Sequence, residues 1–235
     1  MISITGFEII EKVADGTVFR SYKARQTNLD RMVLIKEFIV AGPEDQARFE
    51  ALVKEAKRAA RLKHPGILQL FDAVEEGGTR FLVMEHPVGT TVAQLISSIG
   101  NVPQKRALQI IQEVARALEF SWIRSSLVHG ALSPDMITLE DGAVKVVGIG
   151  LGGVGPEGHG MSAPWVTDPL QRNPYLAPEL QTGGKPNLRT DIYAAGVILG
   201  QMLNGSVPEF ARVAPGQAPS LRQVAPPPGV TPGTW

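Results

Sequence analysis

The sequence contains no cysteine. Disulfides, thiolate metal sites and cysteine nucleophiles are therefore excluded, and the absence fits a reducing compartment. Charge of neither sign is in excess, since 23 Lys and Arg balance 23 Asp and Glu. A neutral chain offers no global field for nucleic acid or an anionic membrane. No apolar run reaches the ~18 residues needed to span a bilayer. The opening MISITGFEII lacks the basic and long apolar regions of a signal peptide. No internal repeat is evident. These absences predict a cytoplasmic globular protein. With 235 residues and 43% hydrophobic content, the chain can bury a sizeable core, as one two-lobed domain or two small ones.

The patterning that is present changes character along the chain. Phe7 to Val13, Phe19 to Arg25 and Arg31 to Phe38 are short runs rich in β-branched and aromatic residues, broken by Asp15-Gly16 and Asn28-Leu29-Asp30. Phe49, Leu52, Val53, Ala56, Ala59 and Ala60 recur at helical spacing up to His64-Pro65-Gly66. Two more strands are predicted, Ile67 to Val74 and Arg80 to Glu85. From Pro87 the pattern turns helical, with an apolar stripe of Ala107, Ile110, Ile111, Val114, Ala117 and Leu118 between Gln104 and about Arg124. A hairpin follows, Met136 to Leu139 and Ala143 to Val147 about the turn Glu140-Asp141-Gly142. Residues 150–174, rich in Gly and Pro, read as a long loop. Asp191 to Leu203 is apolar nearly all round and predicts a buried helix. The expected fold class is α+β: a small antiparallel-sheet lobe with one helix over residues 1–86, a helical lobe over 87–204, and a Pro- and Gly-rich tail over 205–235.

In this order the residues resemble the eukaryotic-type serine/threonine protein kinases, most closely the bacterial branch. Val33-Leu34-Ile35-Lys36 is similar to the family's V-A-I-K on its third strand. Glu55, nine residues before His64, falls where the family has its helix-C glutamate. Val83-Met84-Glu85 resembles the strand leading into the hinge, and Leu127-Val128-His129 the approach to the catalytic loop. Ala177-Pro178-Glu179 matches A-P-E. Asp191-Ile192-Tyr193-Ala194-Ala195-Gly196 resembles the buried central helix of the large lobe. The resemblance implies a two-lobed kinase-like fold whose last helices lie beyond this chain, so that the chain reads as truncated or as part of a longer protein.

The same resemblance implies a degenerate site. Phosphoryl transfer rests on positioning and on metal ions held between protein ligands and phosphates. Gly148 stands at the D-F-G aspartate and Met136 at the metal-binding asparagine; neither offers an oxygen ligand. Ala131 replaces the catalytic aspartate, Ser133 the lysine beside it, and Arg172 the threonine that contacts both. Gly130 replaces the arginine that receives an activation-loop phosphate. At the hinge, Glu85-His86-Pro87 puts a proline, which has no N–H, where the family donates to adenine. Leu34 replaces the small alanine over the adenine. Only Gly16 of three loop glycines is kept, and Phe19 at the last of those positions can fold inward and fill the pocket.

Lys36 and Glu55 read as an ion pair holding the helix to the sheet, and with Gly16, Met84 and Glu85 they are the remnants of an ATP pocket. His129 reads as a packed structural histidine, Asp191 as a ligand of the catalytic-loop backbone, Glu179 as a structural carboxylate and Asp141 as a turn residue. Asp135 as a displaced base, and Ser162 or Thr167 as phosphate acceptors, are weaker readings. No metal and no cofactor are expected. The function implied is a catalytically inactive regulatory or scaffolding module that binds a protein partner, an active kinase among the candidates, or self-associates through the large lobe. The alternative, which stays open, is a divergent serine/threonine kinase using Mg-ATP. Nucleic acid and membrane are not expected partners.

Overall fold

The structure is a computed structural model describing residues 4–15, 19–39, 43–151, 173–181 and 184–208, with the backbone alone at 43–48 and 181. Five strands form the first sheet: β1 Phe7–Asp15, β2 Phe19–Gln26, β3 Arg31–Phe38, β4 Leu70–Glu76 and β5 Thr79–Glu85. Their order is β1-β2-β3-β5-β4, and each neighbouring pair is antiparallel. Strand alternation gives β3 two different faces. Val33 and Ile35 join Ala24, Phe81 and Val83 in a small core on one side. Leu34 and Phe38 point to the other side, where Leu82 and Met84 of β5 meet the helix α1, Pro43–Ala59, through Phe49, Leu52 and Ala56.

The predicted strand starting at Ile67 begins only at Leu70. The residues before it do something else. Ile67 bridges to Val146 in parallel, Leu68 N–H donates to the Val146 carbonyl (2.9 Å), and Val146 N–H donates to Gly66 (2.9 Å). This backbone seam stitches the first lobe to the second.

The second lobe contains β6 Thr90–Thr91, α2 Val92–Ile99, α3 Gln104–Ser125, a 3-10 turn at Pro134–Met136, the hairpin β7 Ile137–Glu140 and β8 Ala143–Val146, then α4 Pro178–Gln181 and α5 Leu188–Asn204. Asp141 (φ 46°) and Gly142 (φ 87°) make the tight turn between β7 and β8. The α2 helix went unpredicted, yet its start is written in the sequence as Thr91-x-x-Gln94. Thr91 Oγ1 accepts from Gln94 N–H (3.1 Å) and Gln94 Oε1 from Thr91 N–H (2.9 Å). Helix α5 starts at Leu188, ahead of the predicted Asp191, because Asn187 caps it in the same reciprocal way with Thr190.

The buried helix predicted over Asp191 to Leu203 is α5, and most of its apolar residues are covered. Val197, Ile198, Met202 and Leu203 are buried and Leu199 half-buried, leaving Ile192 exposed. The reason is packing: Ile198, Met202 and Leu203 join the main core. Val102 N–H donates to the Met202 carbonyl (2.7 Å), pinning the end of α5 to the start of α3. Pro208 lies over Gly200, where a Cβ would come within 2.6 Å of its ring. The long Gly- and Pro-rich segment and the tail residues Phe210, Leu221, Val224 and Trp235 lie outside the described residues. Among the described residues no helix is long and apolar enough to cross a membrane.

Candidate functional site

The sheet sets Lys36. Its cross-strand partners are Ser21 on β2 and Leu82 on β5, so it shares a face with Phe19, Leu34, Phe38 and Met84. It is buried, and burial pushes its ammonium down to about 8 from 10.5. The expected ion pair with Glu55 is not formed. Among the described residues Lys36 has no carboxylate at ion-pair distance; Glu55 accepts instead from Arg58 Nη1 at 2.9 and 3.0 Å. The physical cause is spacing: a Glu and an Arg three apart on a helix are neighbours on its surface. Arg58 Nη2 also donates to the Ser125 carbonyl at the end of α3. That arginine was missed in the sequence, although Glu55-x-x-Arg58 is a legible helical pair.

Phe19 does turn inward. Its ring meets Phe38 edge-on at 5.6 Å, Phe38 meets Phe49 of α1 at 5.5 Å, and Lys36 Nζ lies 5.7 Å from the Phe19 centroid. Gly16 lies outside the described residues.

Met84 is buried in the main core. Glu85, next to it, is committed to structure. Its backbone N–H donates to Gln69 (2.8 Å), and its carboxylate accepts from Gln69 N–H (3.1 Å) and from Lys145 Nζ (2.5 Å) on β8. The Lys145 contact gave no signal in the sequence, because the two are 60 positions apart. His86 and Pro87 follow, half-buried. Burial, then Lys23, hold the His86 imidazole below its ordinary range.

The loop from His129 to Met136 is organised by two buried side chains. The Asp191 carboxylate accepts from the backbone N–H of His129 (2.7 Å) and Gly130 (2.8 Å). His129 Nε2 lies 2.9 Å from the Val147 carbonyl, and Nδ1 3.3 Å from Ala131 N–H. Those partners fix the tautomer: Nε2 donates and Nδ1 accepts, so the ring is neutral. Burial pushes the imidazole down and the Asp191 carboxyl up. Ala131 is half-buried and Asp135 exposed; Ser133 and Met136 are buried, and the Ser133 hydroxyl has no hydrogen-bond partner among the described residues. Gly148 is buried with φ 89°, and Ile149 and Leu151 drop into the main core around it. Glu179 opens α4. Arg172 lies outside the described residues, as do Ser162 and Thr167.

A family model described as a protein kinase domain matches residues 7–219. The chain belongs to the protein kinase domain family. Curated relatives place it in the bacterial branch. It is 29% identical to a probable serine/threonine-protein kinase of Clostridium acetobutylicum, over 86% of this chain and 30% of that protein. It is 29% identical to the serine/threonine-protein kinase PrkC of Bacillus subtilis (86% and 31%) and 28% identical to PknB of Mycobacterium tuberculosis (86% and 33%). The chain thus spans about a third of the length of these relatives. The crystal structure of the Mycobacterium tuberculosis PknI kinase domain has the same fold, with a TM-score of 0.71 at 23% identity over 94% of this chain and 82% of that one.

The residues that the sequence resemblance sets at the metal-ligand positions are Met136 and Gly148. One brings a thioether and the other no side chain. Among the described residues no group of three or more His, Asp or Glu stands together as a metal site. A thioether is a poor ligand for magnesium, which takes hard oxygen ligands in octahedral array. An open groove of about 810 Å³ lies on the opposite face of the sheet, lined by Ile9, Ile10, Tyr22 and charged neighbours. Arg20 there pairs with both Asp15 and Glu37, so its charges are already matched.

Proposed function

We propose that this kinase domain does not transfer phosphate and serves as a regulatory or scaffolding module that binds another protein. The observation that carries the reading is the state of Lys36. The lysine that would clamp phosphates is buried under Phe19, without its carboxylate partner, beside positions 136 and 148 that bring no oxygen ligand. Ala131 supplies no base, and the one histidine of the loop is spent on the Val147 carbonyl. Mg-ATP is accordingly no cofactor of this domain, and an active kinase is among the partners proposed.

The test is a thermal melt with and without millimolar Mg-ATP. A ligand at a hundred times its dissociation constant stabilises by ~2.7 kcal/mol, so binding would be plain. No shift is expected. A metal-dependent shift abolished by Lys36→Met would overturn the reading. Activity is also not expected from Ala131→Asp or Gly148→Asp singly, since groups that act as a unit are strongly non-additive. At Gly148 the positive φ adds backbone strain to any side chain. Radiolabelled phosphate transfer above background in either variant would contradict this. The second reading, a divergent serine/threonine kinase, draws on the retained lysine and on relatives named as such kinases.

A further inference from the structure

We infer that Phe19 is an internal plug: its ring closes the cleft over Lys36, and the ladder Phe19–Phe38–Phe49 ties that closure to α1. The amine is then reached only when the ring swings out. The inference is about access, so it goes beyond the proposed function and does not depend on it; an active domain with the same ring would be gated by it.

Three placements carry it. Phe19 opens β2 on the face that also holds Ser21 and Lys36, and in register opposite Phe38. A phenylalanine at a strand start beside a loop can stand in solvent; this one is 8% exposed and belongs to the main core. Ser21, directly opposite Lys36, is small enough to leave room beside the ammonium, and the Phe19 ring face lies 5.7 Å from Nζ. Among the described residues no carboxylate is at hand, and that electron-rich face is what the ammonium meets. The ring cannot swing out alone, because Phe38 contacts it edge-on and leans in turn on Phe49 of α1. The far end of α1 is anchored as well, by Arg58 on the Ser125 carbonyl. A shift of α1 would therefore reach the ring through Phe38 and Phe49.

The experiment is amine labelling of the whole chain with trinitrobenzenesulfonate near pH 8, read peptide by peptide in a mass spectrometer. Lys54, exposed on α1, is the internal reference. The lowered ammonium pKa leaves much of Lys36 as free amine near pH 8, so slow labelling there reports shielding and not protonation. Lys36 is expected to label about tenfold more slowly than Lys54, as opening-limited groups do. Phe19→Ala should speed Lys36 about tenfold and leave Lys54 unchanged, and Phe19→Trp should keep Lys36 slow. Equal rates in the unaltered protein, or a Phe19→Ala variant in which Lys36 stays slow, would overturn the plug. If Phe19→Ala does not fold, all lysines accelerate together. Phe19→Leu then decides, with a rise of about threefold confined to Lys36 in support and no rise against. Labelling is blind to phosphate transfer, so a domain that proves active sinks the proposed function and leaves this result standing.

Discussion

A lysine ammonium taken out of water raises the free energy of the fold unless a carboxylate stands beside it. Lys36 has none among the described residues, and its drop from 10.5 to about 8 corresponds to a penalty on the order of 3 kcal/mol. The sign of the pH dependence follows. Below about 8 the folded and unfolded chains both carry the proton, and the folded state bears the full penalty. Between about 8 and 10.5 the unfolded chain holds a proton that the folded chain has lost, so stability rises with pH. Lys36→Met is expected to stabilise the domain at neutral pH by about 1–3 kcal/mol, since an apolar side chain suits the site. It should also remove the alkaline rise. Urea titrations of both proteins across that window check it; parallel stability curves would show that Lys36 is not the titrating group. Asp191 is the opposite case, a buried carboxylate whose oxygens each take a backbone N–H. Asp191→Ala leaves the N–H groups of His129 and Gly130 without acceptors, at about 1–3 kcal/mol each. A fall of several degrees in melting temperature is expected, larger than for Asp191→Asn, which keeps one acceptor oxygen.

At the scale of elements, the turn out of the hinge depends on one glycine. Gly89 has φ 84°, and a Cβ there would come within 2.0 Å of the Leu139 carbonyl oxygen on β7. Gly89→Ala should therefore separate β6 from β7 and lower stability by more than the ~1 kcal/mol typical of a backbone misfit. Loss of protection at the amides that β6 and β7 exchange would report it in hydrogen exchange. If those amides keep their protection, the close approach is not a constraint. The elements were largely legible in the sequence wherever periodicity was strong: β3 came out at its observed bounds and α3 within a residue. Others were hidden for physical reasons. Helix α2 is short, so its signal lay in the capping pair Thr91 and Gln94 more than in an apolar stripe. Ile67 looked like a strand residue because a buried β-branched side chain reads the same in a bridge between lobes as in a sheet. For the candidate site, motif order proposes positions but not partnerships. Lys36 and Glu55 could be located from motif order, whereas the choice of Glu55 between Lys36 and Arg58 depends on where α1 sits, which no local pattern encodes.

At the scale of the molecule, the two lobes share one core. The main cluster runs from Phe19, Leu34 and Phe38 in the first lobe through Ile67 and Leu68 at the seam to Ile137, Val146, Ile198 and Leu203 in the second. Backbone bonds at Gly66, Leu68 and Val146 and the Lys145–Glu85 ion pair cross the same boundary. Domains joined by such continuity lose stability together, while lobes linked by a hinge alone open independently. Met202 tests which applies, because it is fully buried in the second lobe, far along the chain from the sheet. Met202→Ala should cost about 2–5 kcal/mol through lost burial and the cavity left behind. If the molecule unfolds as a unit, native-state hydrogen exchange will show the slowest amides of β3 and β5 losing protection by the same amount as those of α3 and α5. Protection in β3 and β5 that stays unchanged while α5 weakens would mean that the seam does not couple the lobes, and that the first lobe keeps its fold without the second.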